Sequence, residues 1–117
     1  MRAEDRIRIL HMIGAGESVL RFIAGRDRSD LDRDEMLGLA LTRAVEIIGE
    51  AASRVSVETQ NAMPDVPWRE VTAMGNRLVH AYFDVDPDIL WRTAKEAVPA
   101  LLEKLVAHLP AEEDGDG

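Results

Sequence analysis

Within the seven residues from Asn76 to Tyr82 the chain places an amide, a guanidinium, an imidazole and a phenol: Asn76, Arg77, His80 and Tyr82. On a helix, His80 follows Asn76 and Arg77 by one turn, so these three side chains can converge on one patch. An imidazole of near-neutral pKa can take a proton from a ribose 2′-hydroxyl and return one to a leaving group. A neighbouring guanidinium can hold the phosphate and its developing charge. That is a workable ribonuclease site. The same residues on an exposed helix face are equally an ordinary polar surface, and spacing alone leaves both readings open.

Other candidates are weaker. Tyr82, near a helix end, either packs its ring and bonds its hydroxyl to backbone or offers a modifiable phenol beside His80. His11 and His108 read as structural histidines. Glu46 and Glu50, one turn apart, have acid/base spacing but suit a solvated or ion-paired helix face. Arginines 21, 26, 28, 33, 43 and 54 form an RNA-facing rim only if they gather on one side, and otherwise read as solubilising surface. With no cysteine and three scattered histidines, neither a metal site nor a cofactor site is expected.

The elements that must position these residues are helical. Apolar residues recur through Ile7, Leu10, Ile13, Leu20 and Ile23, widened by Met12, Val19 and Phe22, which predicts a first helix over about Asp5–Ala24. Gly25 to Asp30 reads as a polar loop. A second helix is expected from about Asp32, capped by the Asp32/Glu35 spacing, to about Val57, with a continuous apolar face from Met36 to Val55. Residues 56–68 lose the period, carry Pro64 and Pro67, and read as a connection. A third helix, about Trp68–Ala81, starts after Pro67 and carries the polar cluster. Asp86 and Pro87 open a fourth helix as cap and first residue, and Pro99 should kink it. The fold class is therefore all-α, an antiparallel bundle of four main helices.

The 117 residues suit one domain, with 46% hydrophobic and 31% charged residues and few aromatics. Residues 1–110 are expected to form the helical domain and 111–117 a disordered acidic tail. A formal charge of −8 argues against broad, sequence-independent binding of nucleic acid. The start lacks an apolar secretory core and no apolar run approaches membrane-spanning length, so a cytoplasmic protein is expected. The apolar content is generous for four helices, which points to a homodimer.

The stretch N-R-L-V-H-A-Y-F-D-V-D-P-D-I-L-W, with P-W-R-E-V before it and A-V-E-I-I-G-E-A-A on the second helix, resembles the HepT-like toxins of the HEPN superfamily over about residues 36–106. The resemblance implies a small helical bundle, homodimeric, with its active site at the interface. It implies a metal-independent endoribonuclease of a type VII toxin–antitoxin pair, with RNA, and tRNA in particular, as substrate. Its expected partner is an MntA-type minimal nucleotidyltransferase antitoxin that silences the toxin by adding AMP to a tyrosine. Carried over by position, His80 matches the motif histidine, Tyr82 the modified tyrosine, and Asn76 the polar residue after the motif arginine. The arginine itself does not match: the family pattern M-R-N-x-L-x-H meets Met74-Gly75-Asn76-Arg77-Leu78-Val79-His80, so Gly75 stands where it is expected. Either Arg77 takes over its task, or the site is degenerate and the chain persists as a nucleotidyltransferase-binding partner or dimeric scaffold.

Overall fold

The computed structural model describes residues 1–78 and 85–109. His80, Tyr82 and the expected tail 111–117 lie outside the described residues. Among the described residues seven helices follow in order: α1 Ala3–Ile23, α2 Asp30–Arg33, α3 Glu35–Ser53, α4 Val57–Ala62, α5 Trp68–Leu78, α6 Pro87–Arg92 and α7 Val98–His108. A wide π turn, Thr93–Ala97, joins α6 to α7 into one arm. Among the same residues there is no β-strand, and none of the helices is long and apolar enough to cross a membrane. α1, α3, α5 and the α6–α7 arm are the four main members of the all-α bundle. α1 packs between α3 and α7, and α5 lies on the other side of α3.

The core is aliphatic. Ile9, Met12 and Val19 of α1, Leu41, Val45 and Ile48 of α3, Leu78 of α5, and Val98 and Leu105 of α7 are its largest fully buried side chains. α3 contributes the stripe that its period predicts, with Leu37, Leu41, Ala44, Val45, Ile48, Ala51 and Ala52 buried, but Met36, expected to open that stripe, is 77% exposed. The face expected for α1 needs correction. Ile7, Leu10, Leu20 and Phe22 are exposed, whereas Ile9, Met12, Gly16, Val19 and Ile23 point inward. Apolar residues occur right round this helix, so periodicity alone does not choose a face. Gly16 chooses it: a Cβ there would come within 2.8 Å of Leu102 on α7, so the helix packs through its glycine side.

Boundaries also differ from expectation. Asp34, not Asp32, caps α3, accepting from the Leu37 amide at 3.1 Å, and Asp30–Arg33 forms a separate single turn. Arg26 bonds Asp34 as well (3.0 Å), so the capping carboxylate also anchors the loop after Gly25, the one glycine with a left-handed φ (73°) among the described residues. α3 ends at Ser53, and the segment expected as a plain connection holds α4, opened by Ser56 accepting from the Thr59 amide. Asp86 caps α6 as expected, accepting from the amides of Asp88 (2.9 Å) and Ile89 (3.2 Å), with Pro87 first in the helix. The irregularity expected at Pro99 takes the form of the π turn. Proline has no N–H for the carbonyl four residues back and its ring crowds it, and Val98 N–H instead reaches back five residues to Thr93 O.

One buried acid joins the two ends of this layout. Asp5 is 2% exposed, and its carboxylate accepts from Ser56 N–H (2.9 Å), Ser56 Oγ (2.6 Å) and Thr59 Oγ1 (2.6 Å). Hydrogen bonds from Ser56 and Thr59 to the charged form hold its pKa down at about 2, against the opposing effect of burial. Because the folded value is depressed, its contribution to stability is complete above the ordinary carboxylate range, near pH 4, and is lost as pH falls through about 2. Asp5→Ala, which strands three donors, is expected to cost about 3 kcal/mol in urea unfolding at neutral pH. Asp5→Asn should flatten the acid limb of the stability curve between pH 4 and 2, and an unchanged acid limb would refute this role.

Candidate active site

α5 carries the polar cluster, and its own packing decides where each member points. Trp68 opens the helix, its indole N–H donating to Met63 O at 3.1 Å, and Val71, Met74 and Leu78 form the buried stripe at helical spacing. On one side α5 lies close against α3. Gly49 of α3 is buried directly beneath the α5 backbone, and a Cβ there would sit 3.2 Å from Thr72 O and 3.3 Å from Val71 O. Gly75 returns the arrangement from α5, its missing Cβ facing Glu46 Cα and Cγ at 3.5 Å.

Between the two helices runs an open polar groove of about 430 Å³, with Glu46, Glu50, Thr72, Gly75 and Asn76 in its walls. Asn76 therefore lies on the α3 flank of α5. Arg77 lies on the opposite flank, in a larger groove between α5 and the α6–α7 arm. Neighbours in sequence, the two thus line different grooves, and their convergence on one patch is not seen within the described part of the helix. The residues flanking the undescribed stretch are firmly held. Leu78 is fully buried and its carbonyl accepts from Asp86 N–H at 2.8 Å, while Arg28 Nε donates to Asp88 at 2.6 Å just inside α6.

The remaining candidates sort by their partners. Arg26 pairs with Asp34 (3.0 Å), Arg28 with Asp32 (3.1 Å) and Asp88 (2.6 Å), and Arg33 with Asp30 (2.9 Å). Arg43 lies 3.7 Å from Glu46 and 3.9 Å from Glu50, and Arg21 bonds Ser18. The Arg26 guanidinium beside Asp34 holds that carboxyl below the usual range, and Asp88 and Asp32 hold Arg28 more firmly protonated. Of the arginines expected to form an RNA-facing rim, Arg26, Arg28, Arg33 and Arg43 are thus neutralised within the chain, and the Glu46/Glu50 pair is ion-paired. His108 Nε2 lies 2.6 Å from Asp65 Oδ1, the single satisfied bond of a structural histidine, and this bond lowers the Asp65 pKa. Arg77 is exposed and has no carboxylate partner among the described residues. Those residues also contain no cluster of three or more His, Asp or Glu suited to a metal.

The family model described as "Ribonuclease HepT-like" matches residues 12–107, which include both grooves and the whole of α5. The chain belongs to the HepT-like family. It is 44% identical over 71 residues to "Probable ribonuclease HepT" of Thermococcus cleftensis, an alignment covering 61% of this chain and 64% of that protein. It is 32% identical over 94 residues to "Putative RNase MJ1380" of Methanocaldococcus jannaschii, covering 80% and 86% of the two chains. A third relative, "Putative RNase TTE0752" of Caldanaerobacter subterraneus, is 33% identical over 99 residues, covering 85% and 88%. No solved structure matches. Gly75 stands at the position where the resemblance to this HEPN family led an arginine to be expected. A side chain at position 75 leaves α5 toward α3 and enters the groove beside Glu46 and Glu50.

The two glycines of the α3–α5 crossing should respond differently to the same change. Gly49→Ala drives a methyl against backbone carbonyls and is expected to destabilise by about 1–3 kcal/mol. Gly75→Ala makes only ordinary contacts and gains helix propensity, so it should be neutral or stabilising by up to about 1 kcal/mol. Equal losses in chemical denaturation would contradict this packing.

Proposed function

We propose that the protein is a metal-independent endoribonuclease, the toxin of a type VII toxin–antitoxin pair acting in the cytoplasm on RNA, with tRNA as its target. The observation that carries this reading, beside family membership, is Arg77. Three positions before His80 in the sequence, it has no carboxylate partner among the described residues, whereas Arg26, Arg28, Arg33 and Arg43 are all ion-paired. In the proposed reaction His80 takes the proton of a ribose 2′-hydroxyl and the 2′-oxygen attacks phosphorus. The bond from phosphorus to the 5′-oxygen breaks, and the imidazolium returns its proton to that oxygen. Arg77 neutralises the charge that develops on the phosphoryl oxygens. A homodimer would bring a second His80 and Arg77 to the same place, since a two-fold interface repeats each contact. Tyr82 is the proposed acceptor of AMP from an MntA-type nucleotidyltransferase antitoxin, its phenol oxygen displacing pyrophosphate from ATP.

A second reading is favoured by Gly75. The groove on its flank of α5 is walled by Glu46 and Glu50 of α3 and, among the described residues, is lined by no cation. A chain needing a guanidinium there would be catalytically degenerate and would serve as a nucleotidyltransferase-binding partner or dimeric scaffold. Incubation with tRNA in the presence of a chelator separates the two readings. Under the first, the wild type yields products ending in 2′,3′-cyclic phosphate, His80→Ala yields none, and Arg77→Ala is slower by about a hundredfold. Cleavage by Gly75→Arg alone would establish the second, and undiminished cleavage by His80→Ala would refute the first.

A further inference from the structure

The groove on the Arg77 side of α5 has a volume of about 680 Å³, within the range of sites that enclose small organic ligands. Its floor is apolar, from Val71 and Met74 on α5 and Ile89 and Leu101 on the α6–α7 arm. The arm runs antiparallel to α5. Asp86 N–H bonds Leu78 O at one end, and His108 reaches Asp65, before the start of α5, at the other. This orientation sorts the charged walls. Arg77 from the last turn of α5 and Arg92 from the last turn of α6 share the end beside Leu78, while Glu70 and Lys104 share the far end and Glu96 lies between. Like Arg77, Arg92 is exposed and without a carboxylate partner among the described residues. The π turn adds a second observation. Thr93, Glu96 and Ala97 of its five residues line the groove, and such turns concentrate at functional sites.

From this arrangement we infer that the groove is a binding track for single-stranded RNA, with successive phosphates at Arg77 and Arg92 and an intervening ribose or base on the apolar floor. The inference rests on the ribonuclease reading above and extends it: the strand lies along the α6–α7 flank of α5 and leaves the reacting phosphate at the Arg77 end. Charge decides for RNA over an acidic protein surface. The two unpaired guanidiniums sit together at the end next to the motif, and the groove is concave and of nucleotide size, where a protein partner needs a broad face. Guanidinium planes also offer bases a stacking surface that this groove, lined by no aromatic residue among those described, otherwise lacks.

The test is fluorescence anisotropy with a labelled 2′-O-methyl oligoribonucleotide, which lacks the hydroxyl that cleavage needs, on the full chain over a salt series. Cleavage of unmodified RNA by the wild type and solution scattering are followed in parallel. Arg92→Glu is expected to weaken binding at least tenfold and to lower the slope of log affinity against log salt by about 0.7, the contribution of one phosphate on a single strand. Ala100→Trp, which fills the groove from an exposed position, should weaken binding comparably, and Lys104→Glu less. Circular dichroism establishes that each variant is folded. A wild type that cleaves RNA while Arg92→Glu and Ala100→Trp bind like wild type overturns the track and leaves the ribonuclease reading standing. A change of subunit mass in Ala100→Trp without loss of RNA affinity also overturns it, making the groove a contact between copies. A wild type that neither binds nor cleaves RNA removes both.

Discussion

The close crossing of α3 and α5 through Gly49 is the constraint from which the rest of the site follows. With no side chain at Gly49, the α5 carbonyls of Val71 and Thr72 come down onto the α3 backbone, at a separation a methyl group would obstruct. That contact fixes both the height and the rotation of α5. Once Val71, Met74 and Leu78 are in the core, residues 75 and 76 must flank α3, and Arg77 must face the α6–α7 arm. The hydrophobic effect supplies the driving force for seating α5, but it is indifferent to rotation over a few tens of degrees. A backbone-to-backbone contact is not, because packed interiors tolerate shifts of only a fraction of an ångström.

Electrostatics then select among the arginines. A net charge of −8 would repel RNA if it acted as a whole, yet at physiological ionic strength charges on an exposed surface are screened over about 8 Å. What a phosphate meets is therefore local. Around the loop from Arg26 to Asp34, arginines and aspartates alternate and neutralise each other while tying the loop to α3 and α6. Individually such exposed pairs add little stability. They occupy these arginines within the chain, whereas Arg77 and Arg92, at one end of the larger groove, have no carboxylate partner among the described residues. The same composition that argues against indiscriminate nucleic-acid binding is compatible with a confined phosphate site.

Much of this layout is legible in the residues, and what is not legible has a shared cause. The α3 stripe from Leu37 to Ala52 reads correctly, although Met36, read with it, is exposed, and so does the Asp86–Pro87 start of α6, because both signals are local. The inward face of α1 does not read correctly, because Ile7 and Leu10 are as apolar as Ile9 and Met12. Only the seating of Gly16 against Leu102, nearly ninety residues away, separates them. α4 escapes a periodicity reading because six residues are too few to show one. Its stabilising acid, Asp5, lies on a different helix, although Ser56 three residues before Thr59 is a visible cap signal. For the polar cluster, the sequence shows Arg77 close to His80 but not that Asn76 and Arg77 line separate grooves. The membership of Arg92, fifteen positions further on, is invisible for the same reason: it depends on α6 returning antiparallel to α5.

The geometry also constrains what replacing the motif arginine can mean. Positions 75 and 77 are about 200° apart around a helix axis, so a guanidinium at Arg77 cannot occupy the space that one at position 75 would fill. Substitution within one protomer therefore requires the phosphate itself to move, from the α3 flank of α5, where Glu46 and Glu50 are ion-paired with Arg43, to the α6–α7 flank. A displaced phosphate needs a displaced strand, and a strand on that flank needs further cations and an apolar surface beside them. Arg92 and the floor around Met74 and Leu101 meet that need, while among the described residues no free cation lies beside Gly75. Under the proposed reading, Gly75 in place of the expected arginine and the basic-ended groove on the opposite side of the same helix both follow from a strand that lies on the α6–α7 flank.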